Sequence, residues 1–383
     1  MKRRFLLQSL VAYGLFSCTP RPAQSEQETR GSAVPLILAE SWSAYLKGFV
    51  QQDGRVIDHK GGGISTSEGQ AYAMLRAVWM NDRETFDRTY KWGVDNLNSN
   101  IRHDRLWAWK WGKDNDGAWR VLDRAFAFDA DQDVALALIL ASQTWNDPKY
   151  GADARRLLAD LWNIGTIVSG NRRVMLAGDT LCGAASCRLN PSYAAPYAYR
   201  IFAKFDTARS WNELVDASYN LLESASALTQ TGLPPDWVGL QMKDGRITIG
   251  DEKDSVFSYD AFRVYWRVAL DRQLFNDDRA DRYLKQSLGW LVREWQMKKR
   301  LPAVISASGQ SRADYESIEM LAALAPALRF VDSDVAAGMY NKVAARYSGG
   351  IWAEKDSYYI QNWAWFGAAL YNGYTAPFDR MRY

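Results

Sequence analysis

Residues 127–145 read AFDADQDVALALILASQTW, and how this stretch folds decides the architecture of the chain. Asp129, Asp131 and Asp133 alternate like the opening of a calcium loop. That loop needs Gly at its sixth position and Glu at its twelfth, where this chain has Val134 and Leu140, so calcium by that route is excluded. What remains is an acid-rich helix start followed by an unbroken apolar run, VALALILA. A helix that is apolar all round is one buried on every side. An Asp at the mouth of such a helix either caps it or reaches a ligand in a cleft.

Working outward, helix-period segments fall at about 36–51, 67–81, 83–97, 129–145, 151–163, 192–205, 208–228, 257–272, 277–297, 314–329, 333–347 and 357–372. Several are joined by very short turns, such as NDR at 81–83 and NDD at 276–278, which imply antiparallel neighbours. Twelve helices in six hairpins close naturally into an all-α (α/α)6 barrel, with 127–145 as one of its interior helices. An open helical array satisfies the same periodicity. Strands are few and short: LWAWKW at 106–111, RRVMLAG at 172–178 and RITIG at 246–250. The helical segments share no sequence motif, so a consensus solenoid is not supported.

The first residues, MKRRFLLQSLVAYGLFSC, have the form of an export signal. Lys2, Arg3 and Arg4 precede an apolar run from Phe5 to Phe16 that is too short to span a bilayer as a helix. The paired arginines point to twin-arginine export. The signal ends either by ordinary cleavage between Ser17 and Gln24 or by lipidation at Cys18. Residues 19–34 read as a polar linker and 35–383 as one domain. Removing residues 1–17 leaves 44 basic against 44 acidic side chains. A neutral surface favours neither nucleic acid nor an anionic membrane, and no transmembrane helix is expected in the mature protein. A neutral polymer is a natural ligand for such a surface. Cys182 and Cys187 in LCGAASCRL suit a small-loop disulfide in an oxidising compartment. Cys-x4-Cys with two His in the whole chain is a poor zinc site, so no metal is expected.

Four stretches carry candidate chemistry. In TSEGQAYAMLRAVW (66–79), Ser67 and Gln70 have the spacing of a capping box, which puts Glu68 in a first helical turn. The helix dipole lowers a carboxyl pKa there, the wrong direction for a general acid, so burial or a second carboxylate must outweigh it. In SVFSYDAFRVYWRVAL (255–270), Asp260 and Arg263 are three residues apart and are expected on one helical face, as an internal ion pair or as part of a site. LNPSYAAPYAYRIF (189–202) begins a helix at Pro191 and Ser192 and offers Tyr193, Tyr197 and Tyr199; such a stripe is more often core than site. In LWAWKWG (106–112), strand alternation puts Trp107, Trp109 and Trp111 on one side. A core could be filled there by Val, Leu or Phe without an indole N–H to satisfy.

TSEGQAYAM, FDADQDVALAL, LNPSYAAP and SYDAFRVYW together resemble glycoside hydrolase family 8, and most closely its cellulase branch, the periplasmic endoglucanases that accompany bacterial cellulose synthase. LPPDW at 233–237 also looks like that branch, and the likeness runs in register from about residue 36 to the end. The resemblance implies an (α/α)6 barrel and inverting hydrolysis of β-1,4-glucosidic bonds with no cofactor. By motif, Glu68 matches the proton donor and Asp260 the general base, while Asp129 matches the acid that holds the sugar beside the scissile bond. Arg263 matches an arginine near the base. Tyr193 and Trp109 match cleft aromatics, and Tyr72 stands in the donor helix as a substrate-binding candidate. Phe128 departs from the Thr or Ser that many members carry before Asp129. An inverting pair needs its carboxyls roughly 6.5–9.5 Å apart to admit water. The neighbouring acids offer a like-charge route to raise the pKa of Glu68. An indole can bury the apolar face of a pyranose, so Trp109 is expected at a glucose subsite and at least one of its neighbours in packing. The resulting expectation is an exported, monomeric endo-1,4-β-glucanase acting on β-1,4-glucan, with a cellulose synthase complex as candidate partner. Chitosan, xylan and mixed-linkage glucan are alternative substrates on the same barrel. A non-catalytic glucan-binding protein of an export complex is the alternative of another class.

Overall fold

Three helix hairpins turn on the same dipeptide. Asn81, Asn146 and Asn276 take left-handed backbone, with φ of 56°, 50° and 52°. The Asp that follows each of them, Asp82, Asp147 or Asp277, caps the next helix by accepting the backbone N–H of Thr85, Lys149 or Arg279. Asn tolerates that conformation better than other residues with a side chain, and Asp satisfies an N–H that the helix itself cannot. The turns are short because one residue reverses the chain and the next starts a new helix.

The computed structural model describes residues 34–379 and 381, so the expected signal at 1–18 and all of the expected linker except Val34 lie outside the described residues. In chain order the helices are α1 (Leu36–Phe49), α2 (Ser67–Trp79), α3 (Arg83–Gly93), α4 (Phe128–Thr144), α5 (Pro148–Gly165), α6 (Pro196–Phe205) and α7 (Asn212–Ala227). They continue with α8 (Arg263–Phe275), α9 (Asp278–Ser287), α10 (Gly289–Lys298), α11 (Ile318–Leu328), α12 (Ser333–Ala344), α13 (Tyr358–Tyr371) and the short α14 (Ala376–Asp379). Helices α2, α4, α6, α8, α11 and α13 touch in sequence, and α13 returns to α2. That ring is closed, which excludes the open array. Around it, α3, α5, α7, α9 and α12 each pack on the inner helix before them, and α1 packs on α13. The result is an (α/α)6 barrel. The outer segment expected at 277–297 is broken at Leu288 into α9 and α10.

Composition separates the two rings. Every residue of α4 from Phe128 to Ala141 is buried, as its unbroken apolar run requires. The outer α9 buries only Ala280, Tyr283, Leu284 and Ser287, one stripe at helical spacing. Because inner and outer helices alternate in direction, the N-termini of all six inner helices gather at one end of the barrel.

The strands lie in the connections. β1 (Ser65–Thr66), β2 (Ala108–Lys113) and β3 (Trp119–Phe126) form one antiparallel sheet, and β4 (Thr166–Ser169) pairs with β5 (Arg172–Met175). β6 (Ser186–Leu189), β7 (Val238–Gln241) and β8 (Ile247–Ile249) form a second three-stranded sheet, and β9 (Val256–Phe257) pairs with β10 (Ile305–Ser306). The three expected strands correspond to β2, β5 and β8. β3 was not expected because most of its residues face water and its sequence does not alternate. A disulfide joins Cys182 to Cys187 of β6. Among the described residues, no helix is long and apolar enough to cross a membrane, and no cluster of His, Cys, Asp and Glu is arranged to hold a metal.

Candidate active site

Helix α2 starts one residue earlier than a Ser67–Gln70 capping box would have it. Thr66 is the cap, its Oγ1 accepting the Gly69 N–H at 3.0 Å. Gln70 turns away to accept the Val56 N–H at 2.6 Å and to donate to the carbonyls of Gly54 and Thr89. Ser67 Oγ is buried without a partner. Glu68 still falls in the first turn, and its Oε1 accepts the Tyr358 hydroxyl at 2.9 Å.

Asp129 occupies the first turn of α4, where its Oδ1 accepts the Ala130 N–H at 2.9 Å. Asp131 faces elsewhere, accepting the Trp107 N–H and so tying the approach to β2 onto α4. The expected helix over 257–272 begins only at Arg263, because Phe257 belongs to β9 and residues 258–262 form a turn. Asp260 therefore precedes α8 and does not share a helical face with Arg263.

Arg263 gathers these acids. Its Nη1 donates to Glu68 Oε2 and to Asp129 Oδ2, both at 2.9 Å, and its Nη2 donates to Asp260 Oδ1 at 2.5 Å. The second oxygen of Asp260 accepts the Trp237 indole N–H at 3.0 Å. The side chains of Arg263 and Asp129 are 2% and 3% exposed, whereas those of Glu68 and Asp260 are 22% and 33% exposed. Two of the three carboxylates thus reach solvent from opposite arms of one buried guanidinium. The guanidinium fork stands between them, one acid on each arm.

One cation faces three acids, so a proton is held readily. Burial pushes Glu68 up to about 7; Asp129 and Asp260 add to the rise, while Arg263 and the Tyr358 hydrogen bond oppose it. Burial also raises Asp129, against the pull of Arg263 and Arg267. Burial outweighs the like-charge contribution expected for Glu68, and together they outweigh Arg263 and the Tyr358 hydrogen bond.

The aromatic residues divide. Tyr193 stands on a one-turn 3-10 helix, Pro191–Tyr193, ahead of α6, with Asn190 as its cap. The expected helix start at 192 therefore moves to Pro196. Gln132 Nε2 donates to the Tyr193 carbonyl at 2.9 Å, and the Tyr193 ring lies edge-on to Trp237 and 5.5 Å from the Arg263 guanidinium. Tyr72 is 2% exposed beneath Arg263, its hydroxyl 3.4 Å from Nη1, and packs against Trp363 and Phe366. It touches the guanidinium, not open space. The three tryptophans have three different surroundings, because the β2–β3 pairing slips at both steps between Ala108 and Trp111 and breaks the alternation. Trp107 is buried against Tyr90, and Trp111 packs on Trp92 and Trp119 beside Arg55. Trp109 is half-buried, one residue past the Thr66–Lys110 pair and so alongside the start of α2.

Asp236 and Trp237 were quoted within LPPDW but given no role, and Tyr358 was not singled out from the sequence. Asp236 is buried and accepts Ser258 N–H at 2.9 Å, the Ser258 hydroxyl, and Ala261 N–H at 2.8 Å. Burial, and then the charge of Asp260, push it up to about 6. One available signal was positional: Glu68, Asp129 and Arg263 all begin apolar helices, and Tyr358 begins α13 in the same way. Two hollows of about 460 and 500 Å³ lie on the outer ring, lined largely by paired Arg and acidic side chains, and touch none of the clustered acids.

Residues 7–296 match the family model described as glycosyl hydrolases family 8. The chain is 36% identical over 259 residues to an endoglucanase of Pseudomonas fluorescens (strain SBW25), covering 66% of this chain and 64% of that protein. It is 34% identical over 233 residues to an endoglucanase of Escherichia coli (strain K12), covering 60% of this chain and 62% of that one. The chain thus spans somewhat less than two thirds of the length of these two relatives. Its fold is similar to that of the endo-1,4-D-glucanase of Vibrio fischeri ES114, with a TM-score of 0.78, 29% identity, and coverage of 87% of this chain and 94% of that structure.

Proposed function

The chain belongs to glycosyl hydrolases family 8, and on that premise we propose that it is an endo-acting β-1,4-glucanase that cleaves by single displacement with inversion. The observation that carries this reading is the gathering of Glu68, Asp129 and Asp260 from three separate elements around Arg263. Glu68, held protonated near neutral pH, gives its proton to the glycosidic oxygen as the bond to the anomeric carbon breaks. Asp260 takes a proton from a water that attacks that carbon from the opposite face, leaving the new hydroxyl inverted. Asp129 is too buried to exchange protons with solvent readily and holds the sugar between the pair. Arg263 fixes the three acids, Tyr72 supports Arg263 from below, and Tyr193 and Trp109 offer ring faces to pyranoses.

The likeness of the motifs to periplasmic endoglucanases, the signal-like residues 1–18 and the Cys182–Cys187 pair support export to an oxidising compartment, with glucan from a cellulose synthase as the substrate. Cell fractionation with N-terminal sequencing tests this: a protein retained in the cytoplasm with residues 1–18 uncleaved overturns it.

The deciding experiment is the anomeric form of the first product from carboxymethyl cellulose, followed by NMR. An initial α-product is expected. Glu68→Gln and Asp260→Asn should each reduce kcat by about 10³-fold or more while leaving the protein folded. An initial β-product, or full activity in either variant, overturns the assignment. Preferential cleavage of chitosan, xylan or mixed-linkage glucan in a substrate panel would replace the substrate and keep the mechanism.

A further inference from the structure

The group proposed as general base does not sit on a helix. Asp260 lies in the turn between β9 and α8, whose own backbone bonds are long: Phe262 N–H to the Ser258 carbonyl at 3.3 Å and Arg263 N–H to the Asp260 carbonyl at 3.2 Å. A base must be placed to within a fraction of an ångström to take a proton from water lined up with the anomeric carbon. Those two bonds leave the N–H groups of Ser258 and Ala261 and the direction of the carboxylate to be fixed from outside the turn.

Asp236 meets that need. It follows Pro234 and Pro235, whose rings restrict the approach of the chain. Its own N–H donates to the Val256 carbonyl at 2.7 Å, and the Trp237 N–H donates to the Asp254 carbonyl at 3.1 Å, so the dipeptide is pinned to the strand that leads into the turn. From there one carboxylate oxygen, Oδ1, accepts both Ser258 N–H and Ala261 N–H, while Oδ2 accepts the Ser258 hydroxyl. These donors flank Tyr259 and Asp260, so the turn is clamped on both sides of the base. The next residue completes the arrangement, since the Trp237 indole N–H holds the free oxygen of Asp260 at 3.0 Å. One dipeptide therefore fixes the backbone of the base and the direction of its carboxylate.

We propose that Asp236 is a positioning residue for the catalytic step: it touches no reacting atom and acts by holding the 258–261 turn so that Asp260 faces its water. The inference rests on the assignment of Asp260 as the base. With no acceptor at 236, Ser258 N–H and Ala261 N–H lose their partner, and the turn is free to relax. Asn at 236 keeps an amide oxygen for the two backbone donors and can donate to the Ser258 hydroxyl, so it is the conservative rescue.

The test compares Asp236→Ala, Asp236→Asn and Asp260→Asn, with the double variant Asp236→Ala/Asp260→Asn, on a fluorogenic cello-oligosaccharide well below the melting temperature of each. Asp236→Ala should lower kcat about 100-fold with KM within about threefold, while Asp236→Asn stays within about tenfold of wild type. In the Asp260→Asn background the Ala substitution should cost less than about threefold, because a base that is absent cannot be misplaced. Should Asp236→Ala not fold, Ser258→Ala serves instead. It removes the hydroxyl donor alone and should cost several-fold in kcat, a loss that again disappears beside Asp260→Asn. An equal loss with and without Asp260, or a folded Ala variant with wild-type kcat, overturns the positioning role. Wild-type activity in Asp260→Asn alone would instead overturn the base assignment, so the two failures are distinguishable.

Discussion

Two arginines on α8, one turn apart, meet two aspartates on α4, also one turn apart, yet the two pairs behave as different materials. Arg267 and Asp133 form a closed bidentate pair, with both contacts at 3.0 Å and the Tyr197 hydroxyl as a third partner. Arg263 meets Asp129 with a single contact and spends the rest of its fork on Glu68 and Asp260. Both arginines are almost fully buried. The lower pair is neutral and sealed. The upper group has more acid than base, opens to solvent through two of its acids, and lies where the inner helices begin. The difference lies first in burial and then in unequal numbers: burial raises Glu68, and the surplus carboxylates of Asp129 and Asp260 add to the rise, so that it holds a proton near neutral pH.

Removing each arginine should break the comparison most sharply. Arg263→Met should reduce kcat by about 10³-fold or more, since the three acids lose their common anchor. Arg267→Met should leave the activity of the folded fraction within about tenfold but cost roughly 3–5 kcal/mol of stability, because Asp133 is left buried and unpaired. Replacing both partners, as Arg267→Met/Asp133→Leu, should restore most of that stability. Denaturant titration beside steady-state kinetics checks all three. Equal effects on kcat from both single variants would erase the distinction between the two pairs.

The charge imbalance also has a sign in pH. Glu68 titrates higher in the folded protein than in the unfolded chain, so the stability it contributes is present at low pH and is lost as pH rises through about 7. Glu68→Gln lacks that loss. Its unfolding free energy relative to wild type should therefore climb between pH 5 and pH 8, by an amount on the order of 3 kcal/mol at most, as read by denaturant titration at each pH. On the proposed assignment of Glu68 as the acid, kcat/KM should fall on the alkaline side as it ionises near 7. Asp129→Asn removes a charge that raises Glu68, so in that variant the alkaline limb should move to lower pH, alongside a reduced kcat. An unmoved limb would mean that another group sets it.

Much of the fold is written locally. The inner helices are buried on most sides, the outer ones carry a single stripe, and Asn-Asp turns three of the hairpins, so the twelve segments follow from short-range pattern, while closure of the ring in place of an open array is decided by the contact of α13 with α2. What the pattern misreads is decided from afar. SVFSYDAF has helical period, but Asp236, more than twenty residues upstream, holds 258–261 in a turn. The alternation of Trp107, Trp109 and Trp111 is plain in sequence, yet the slips that spoil it are set by β3. The site divides in the same way. Glu68, Asp129, Asp260 and Arg263 stand in motifs, and Trp237 stands in LPPDW without its role being readable there, whereas Tyr358 meets Glu68 only because the ring closes, across 290 residues of chain.

The smallest expected effect concerns how Glu68 reaches the upper arginine. Two hydroxyl residues, Thr66 and Ser67, compete in sequence to start α2, and only Thr66 caps it. Thr66→Ala should cost about 1 kcal/mol and loosen the turn that carries Glu68. Ser67→Ala should be neutral or slightly stabilising, since it removes a buried hydroxyl that has no partner. A loosened α2 start strains the contact between Glu68 and Arg263 and leaves the Arg267–Asp133 pair untouched. The Thr66 variant should therefore show a few-fold drop in kcat larger than its small loss of stability would produce. If Ser67→Ala proves the more damaging of the two, the helix begins one residue later and the first-turn geometry of the acid must be redrawn.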